Sequence, residues 1–154
     1  MQLPLSKKLS KIQQEFKCKK SAYNSFGKYN FRKAEDILEA LKPFNEKYDV
    51  YFTVDEELIA PAVIKSTATI SDGENAIHAN AIVGVDLNQK GMQVPQQYGA
   101  ASSYAKKYSL GNLLLIDDTQ DSDATNSHGK FKQQVNNLEK NLAQNKASSN
   151  DLGF

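Results

Sequence analysis

The fold of this chain is decided by residues 97–123, which read QYGAASSYAKKYSLGNLLLIDDTQDSD. Pro95, just before this segment, suits the first turn of a helix, where its missing N–H costs nothing. Four residues recur at offsets of three, four and three, which places them on one helical face: Tyr98, Ala101, Ala105 and Tyr108. Gly99 costs about 1 kcal/mol against alanine in a helix, so we interpret it as a point of close approach. The pattern predicts a helix over 98–108 that packs closely on a β-sheet.

The sheet that this helix covers is predicted from residues 50–87. Apolar and polar residues alternate over 50–55, and residues 62–71 are dense in β-branched types. The sequence Ser-Asp-Gly-Glu at 71–74 is typical of a hairpin turn. Beyond that turn every second residue is apolar over 77–87. This alternation predicts three antiparallel strands with one covered face.

Two further helices are predicted before the sheet. Apolar residues with lysines on the opposite face recur at offsets of four, three and four: Leu5, Leu9, Ile12 and Phe16. Residues 34–48, AEDILEALKPFNEKY, carry a second helical stripe. Pro43 is expected to kink that helix or to end its first part, because proline removes a backbone donor. We interpret residues 21–33, between the two helices, as a loop with a short strand at Tyr29–Phe31.

The elements together predict an α+β fold for residues 1–117. A three-stranded antiparallel sheet is covered by a C-terminal helix, and helices precede the sheet. Residues 118–154 are rich in Ser, Asn, Gln, Asp and Lys, which predicts a largely disordered tail. Within that tail a marginal helix is indicated by four spaced apolar residues: Phe131, Val135, Leu138 and Leu142.

The charge of the chain is unevenly distributed. The whole sequence has 19 Lys and Arg residues against 18 Asp and Glu residues, a net charge of +1. Residues 1–33 nevertheless hold nine basic residues and one acidic residue, Glu15, so this segment alone has a net charge of +8. A basic segment of this kind favours a polyanion as partner, although such charge runs also occur on purely solvated faces.

Several classes of protein are not indicated by the sequence. The single Cys18 excludes an intramolecular disulfide, and His78 and His128 do not form a zinc-binding pattern. No apolar run approaches the ~20 residues of a membrane span, so no membrane partner is expected. The N-terminal residues interleave lysines with apolar positions, unlike a signal peptide. These features predict a cytoplasmic protein.

The candidate binding residues are cations and aromatic rings that occur together in two short segments, 28–33 and 104–107. A cationic groove for phosphates, lined by rings on which bases stack, binds single strands without reading their sequence. The candidate cations are Lys28, Arg32, Lys33, Lys106 and Lys107. The candidate rings are Tyr29, Phe31 and Tyr104, whereas Tyr98 and Tyr108 are assigned to the core. We expect Lys106 and Lys107 to point away from the buried helix face, although a helix with a solvated basic end has the same pattern.

These segments resemble the essential recombination function (ERF) family of phage single-strand annealing proteins. The resemblance covers about residues 5–123, and it is carried by KYNFRKAEDILEALKP at 28–43, by the three-strand region, and by QYGAASSYAKKYSLGNLLLI at 97–116 with its trailing aspartates. It implies an ATP-independent protein that binds single-stranded DNA and pairs complementary strands. It also implies a homo-oligomeric ring or filament and a β-β-β-α core shared with eukaryotic annealing proteins.

Annealing requires no covalent chemistry, so neither an enzyme activity nor a cofactor is expected. No GxxxxGK[ST] loop occurs in the sequence, which argues against an ATP-driven strand-exchange protein. One alternative is a protein that coats single-stranded DNA or RNA without annealing it. A second is a Mg²⁺-dependent nuclease built on a cluster of carboxylates: Asp117, Asp118, Asp121 and Asp123. A separate single-strand-binding protein is a further candidate partner of this chain.

Overall fold

Residues 2–116 are described by the structure, a computed structural model. Within these residues three helices and five strands follow one another: α1 (Leu5–Glu15), β1 (Ala22–Asn24), β2 (Tyr29–Phe31), α2 (Ala34–Tyr48), β3 (Tyr51–Ala60), β4 (Val63–Ser71), β5 (Ala76–Gly84) and α3 (Val94–Leu114). The predicted tail, its marginal helix and the four aspartates lie outside the described residues. No helix within residues 2–116 has the length and apolar character needed to cross a membrane.

Strands β3, β4 and β5 form an antiparallel sheet in that order, with β4 in the centre. On the inner face Ile70 of β4 lies opposite Phe52 of β3 and Ile77 of β5. Asp72 shapes the β4–β5 turn, since its carboxylate accepts bonds from the backbone N–H groups of Glu74 and Asn75. The predicted α+β fold with a three-stranded antiparallel sheet is therefore confirmed.

Helix α3 covers the inner face of the sheet, and its polar side chains tie it to all three strands. The hydroxyl of Ser102 donates to the carboxylate of Glu56 on β3 at 2.8 Å. Asn112 donates through Nδ2 to the backbone carbonyl of Asn80 on β5 at 2.8 Å. Asn112 thereby occupies a backbone acceptor of β5, a strand with one hydrogen-bonded neighbour in the sheet.

The main core joins all three helices to the sheet. Its buried apolar residues lie in the three helices and in β4, with one more directly after α1 and one directly before β3. They are Leu5, Leu9, Ile12, Phe16, Ile37, Leu41, Val50, Ala68, Ile70, Leu110, Leu113 and Leu114. A smaller cluster of Ile64, Val85, Ala101 and Ala105 lies under the first half of α3. The predicted stripe of α1 is thus confirmed as core.

The end of α3 differs from the prediction, and Pro43 does not end α2. Helix α3 continues beyond Tyr108 to Leu114, because Leu110, Leu113 and Leu114 prolong the buried face of the helix. It ends at Leu115, whose φ of 54° is left-handed and whose N–H bonds the carbonyl of Gly111. Helix α2 runs through Pro43 without ending there. Pro43 is exposed, so its ring meets solvent on the outer face of the helix.

Three expectations about single residues or strands need correction. A Cβ on Gly99 would meet nothing within 4 Å, so this glycine does not mark a close approach. Lys8 was expected on the outer face of α1, but it is 3% exposed and donates to the carbonyl of Asp49, the residue that ends α2. Its ammonium therefore stabilises the negative end of that helix. Strand β1, which pairs with β2, was not predicted.

Residues Ser25–Tyr29 belong to a second compact unit. Lys28 has a left-handed backbone with a φ of 55°. A Cβ on Gly27 would come within 2.3 Å of the Tyr29 ring, so this position excludes larger residues unless the ring moves. The turn therefore has the glycine that its geometry requires.

We predict that Ser109→Ala lowers the free energy of unfolding by about 1–3 kcal/mol, the cost of an unpaired buried hydroxyl. Ser66 on β4 and Ser109 on α3 are both 0% exposed, and their hydroxyls form a bond of 2.9 Å. Ser109 also donates to the carbonyl of Lys106 at 3.2 Å, so Ser66→Ala costs less. Denaturant unfolding of both single variants and the double variant measures the coupling. If the losses of unfolding free energy in the single variants add up to the loss in the double variant, the two hydroxyls do not interact.

We also predict that Asp36 makes the stability of the protein depend on acidic pH. Hydrogen bonds from the Ser21 hydroxyl and the Lys33 backbone N–H lower the pKa of Asp36 below its ordinary value of 3.8. Because the pKa is lower in the folded state, the stabilisation is complete above pH 3.8 and is lost as the pH falls through the folded-state pKa. Asp36→Asn should flatten this part of a stability-against-pH curve. A curve with unchanged slope would refute the assignment.

Candidate nucleic-acid interface

A cavity of about 430 Å³ lies between the start of α2 and the middle of α3; we call it the first groove. Six of the eight predicted binding residues line it: Phe31, Arg32, Lys33, Tyr104, Lys106 and Lys107. Its remaining lining comes from Ala34, Glu35, Leu38, Ala100 and Ser103. The other two predicted residues, Lys28 and Tyr29, lie in the second compact unit. The structure therefore brings together side chains that are about 70 residues apart in the sequence.

The start of α2 is held in place by a reciprocal pair of hydrogen bonds. The N–H of Lys33 donates to the Asp36 carboxylate at 2.9 Å, and the N–H of Asp36 donates to the carbonyl of Lys33 at 3.1 Å. The first turn of a helix carries a partial positive charge, which favours anions. Glu35 opposes this effect, and its ion pair with Lys33 at 3.7 Å is exposed and therefore weak.

Arg32 is the cation whose position the structure fixes most directly. Its Nε donates to the backbone carbonyl of Cys18 at 2.7 Å, and the side chain is half-buried. This bond orients the guanidinium plane before any ligand arrives. A planar guanidinium can grip two phosphate oxygens at once, which a lysine ammonium cannot do.

Lys107 does not point away from the protein, so that prediction is wrong. Its side chain is 9% exposed. Its ammonium lies 5.0 Å from the ring centroid of Tyr104, 5.7 Å from that of Tyr108 and 6.0 Å from that of Phe31. These distances are typical of cation–π interactions. A long lysine stem can cover apolar surface while its charge contacts ring faces, which explains the burial that helical spacing did not predict.

The rings around Lys107 differ in how much surface they offer to a ligand. Tyr104 is 50% exposed, and its ring lies 6.0 Å from that of Tyr108 at an interplanar angle of 37°. Tyr108 and Phe31 are half-buried. Tyr98 packs against the smaller core cluster and is also half-buried. Tyr104 is thus the ring that has the most surface available for stacking.

Lys106 lies beside this ring cluster with a different environment. It is half-buried and lines the first groove. No carboxylate among residues 2–116 forms an ion pair with it. Its ammonium is therefore better suited than that of Lys107 to a direct phosphate contact.

His78 lies on the outer face of the sheet and is exposed. Its Nδ1 forms a hydrogen bond of 2.7 Å with the hydroxyl of Thr69 on β4. Within the part of the chain that the structure describes, no three His, Cys, Asp or Glu side chains are grouped to hold a metal ion. The four aspartates proposed for the nuclease alternative lie outside that part.

Comparison with known proteins identifies the family. The model of the ERF superfamily matches residues 5–150. The "Essential recombination function protein" of Salmonella phage P22 is 44% identical over 132 residues, which is 84% of this chain and 62% of that relative. No solved structure matches the chain. The family resemblance seen in the sequence is thereby confirmed, and the chain belongs to the ERF superfamily.

Proposed function

We propose that this protein binds single-stranded DNA and anneals complementary strands during phage recombination, without ATP, in the cytoplasm of the bacterial host. One observation carries the proposal: α2 and α3 bring Arg32, Lys33 and Lys106 into one groove with the exposed ring of Tyr104. Cations beside a stacking surface are the chemistry that sequence-independent binding of a single strand requires.

The phosphate backbone would be held by cations of two kinds. Arg32 supplies an oriented guanidinium, whereas Lys33 and Lys106 supply ammonium groups on flexible stems. The positive end of α2 adds to the potential at the same place. Each neutralised phosphate releases counterions, so affinity must fall as salt is raised.

The bases would be held on Tyr104, and each stacked base contributes about 1–3 kcal/mol. Stacking on a ring face leaves the hydrogen-bonding edge of a base accessible to a complementary strand. Neutralised phosphates also repel each other less when the second strand approaches. Duplex stacking, on average about 1.4 kcal/mol per step, then drives the pairing. No nucleotide hydrolysis is needed for these steps.

The phage P22 relative supports the recombination role. A phage P22 protein that covers most of this chain is named for an essential recombination function. The match spans 62% of that relative, so the activities of the whole relative come to this chain only as proposals. Assembly into a homo-oligomeric ring or filament, and contact with a single-strand-binding protein, belong to the same proposal.

The test is to mix complementary oligonucleotides with the protein, without ATP or metal, and to follow duplex formation by fluorescence quenching. The proposal expects faster pairing than in buffer, with no loss of strand length when Mg²⁺ is added. Binding that slows pairing would replace annealing by coating. Shortened strands would indicate a nuclease. Absence of a preference for single strands over duplex at low salt would overturn the proposal entirely.

We predict that the two neighbouring lysines respond differently to substitution. Lys106→Ala should lower the slope of log affinity against log salt by about 0.7, the value for one lost single-strand phosphate contact. Lys107→Met keeps the apolar stem but removes the charge from the three rings, so it should weaken binding with a smaller change of slope. Lys107→Arg should restore binding, because a guanidinium also interacts with ring faces.

Lys90→Ala is the matched control for these variants. Lys90 is exposed in the loop before α3 and does not line the first groove. It should leave the salt dependence unchanged. Equal loss of slope in the Lys106 and Lys107 variants, measured by fluorescence anisotropy with a labelled oligonucleotide, would show that both lysines contact phosphate.

A further inference from the structure

A second cavity, of about 410 Å³, adjoins Arg32 and contains none of the residues predicted from the sequence except Arg32 itself; we call it the second groove. Gln13, Lys17, Cys18 and Lys19 form its polar side together with Arg32, and residues 114–116 form an apolar wall. Among residues 2–116 it therefore combines three cations with apolar surface, and its lining there includes no carboxylate.

Arg32 is common to both grooves. Its bond to the carbonyl of Cys18 fixes a side chain that borders both cavities. A polyanion gripped by Arg32 in the first groove therefore contacts a residue that also lines the second. Since a phosphate backbone is continuous, the next phosphates along the strand need cations on the far side of Arg32.

The second groove is built on fixed contacts between helices. Gln13 of α1 donates through Nε2 to the carbonyl of Leu113 on α3 at 2.9 Å. Phe16, which ends α1, is 7% exposed and belongs to the main core. Lys17 and Lys19 follow directly, and both are exposed. The groove is thus a supported surface that presents two lysines.

We propose that a bound single strand continues past Arg32 into the second groove, where Lys17 and Lys19 contact its phosphates. This inference rests on the proposed function and extends the binding site from α2 and α3 to the segment after α1. The partner is the same polynucleotide, bound as a longer stretch than the first groove holds. The basic character of residues 1–33 then has a specific role at two of its lysines.

The test compares two variants that each remove two positive charges. Lys17→Ala/Lys19→Ala removes the lysines of the second groove. Lys7→Ala/Lys11→Ala is the matched control, since both its lysines are exposed on α1 and line neither groove. Affinity and salt dependence are measured in the full-length protein with oligothymidylates of about 4 to 16 nucleotides, the range of site sizes of single OB-fold domains.

For the longer oligonucleotides the salt slope of Lys17→Ala/Lys19→Ala should fall by about 1.4, twice the value for one phosphate contact. The control should keep the wild-type slope. The shortest oligonucleotides should bind all three proteins alike, because they need only one groove. Thermal unfolding of each variant shows that the effect is on binding and not on the fold.

Cys18, the single cysteine of the chain, provides a second readout. It lines the second groove and is half-buried. A long oligonucleotide should slow the reaction of Cys18 with a maleimide, and a short one should not.

Equal salt slopes for the two double variants, or a reaction rate of Cys18 that long oligonucleotides do not change, would overturn the inference. If Lys106→Ala still lowers the slope, the proposed function survives that result; if the wild-type protein binds no single strands, both fail.

Discussion

The packing of α3 on the inner face of the sheet is the constraint on which the rest of the structure depends. One helix contributes Ala101 and Ala105 to the core beneath it, a buried serine to the bond with β4, and the residues that line the first groove on its outer side. Any rotation of α3 would therefore move the candidate binding residues and break a buried hydrogen bond at once. The position of the groove is set by the core.

The first groove concentrates positive charge without exposing all of it. Lys107 is held among three rings, while Lys106, its neighbour in sequence, keeps its ammonium at the groove. A buried ammonium without compensation is costly, and the ring faces supply part of that compensation. The charge of Lys107 in turn holds Tyr104 and Phe31 near each other. Adjacent lysines thus have different environments on the same helix turn.

The sequence predicted much of the fold because its apolar spacing is regular. The stripe of α1, the three antiparallel strands and the turn at 71–74 all have the predicted form. The length of α3 was not predicted, because a short apolar run has no period that separates helix from strand. The burial of Lys8 and Lys107 was missed because a long side chain can reach a helix end or a ring, here that of Phe31, that only the tertiary fold brings near. The second groove was missed for the same reason.

The bond from Asn112 to the carbonyl of Asn80 has a consequence for handling this protein. An open strand edge offers backbone groups to other molecules and is a common origin of aggregation. Asn112 blocks one such group on β5, and it does so from the last turns of α3. A truncation that frays this end of the helix would uncover the strand as well as loosen the groove. Loss of the proposed DNA binding in shortened chains would therefore have to be separated from self-association through the exposed edge.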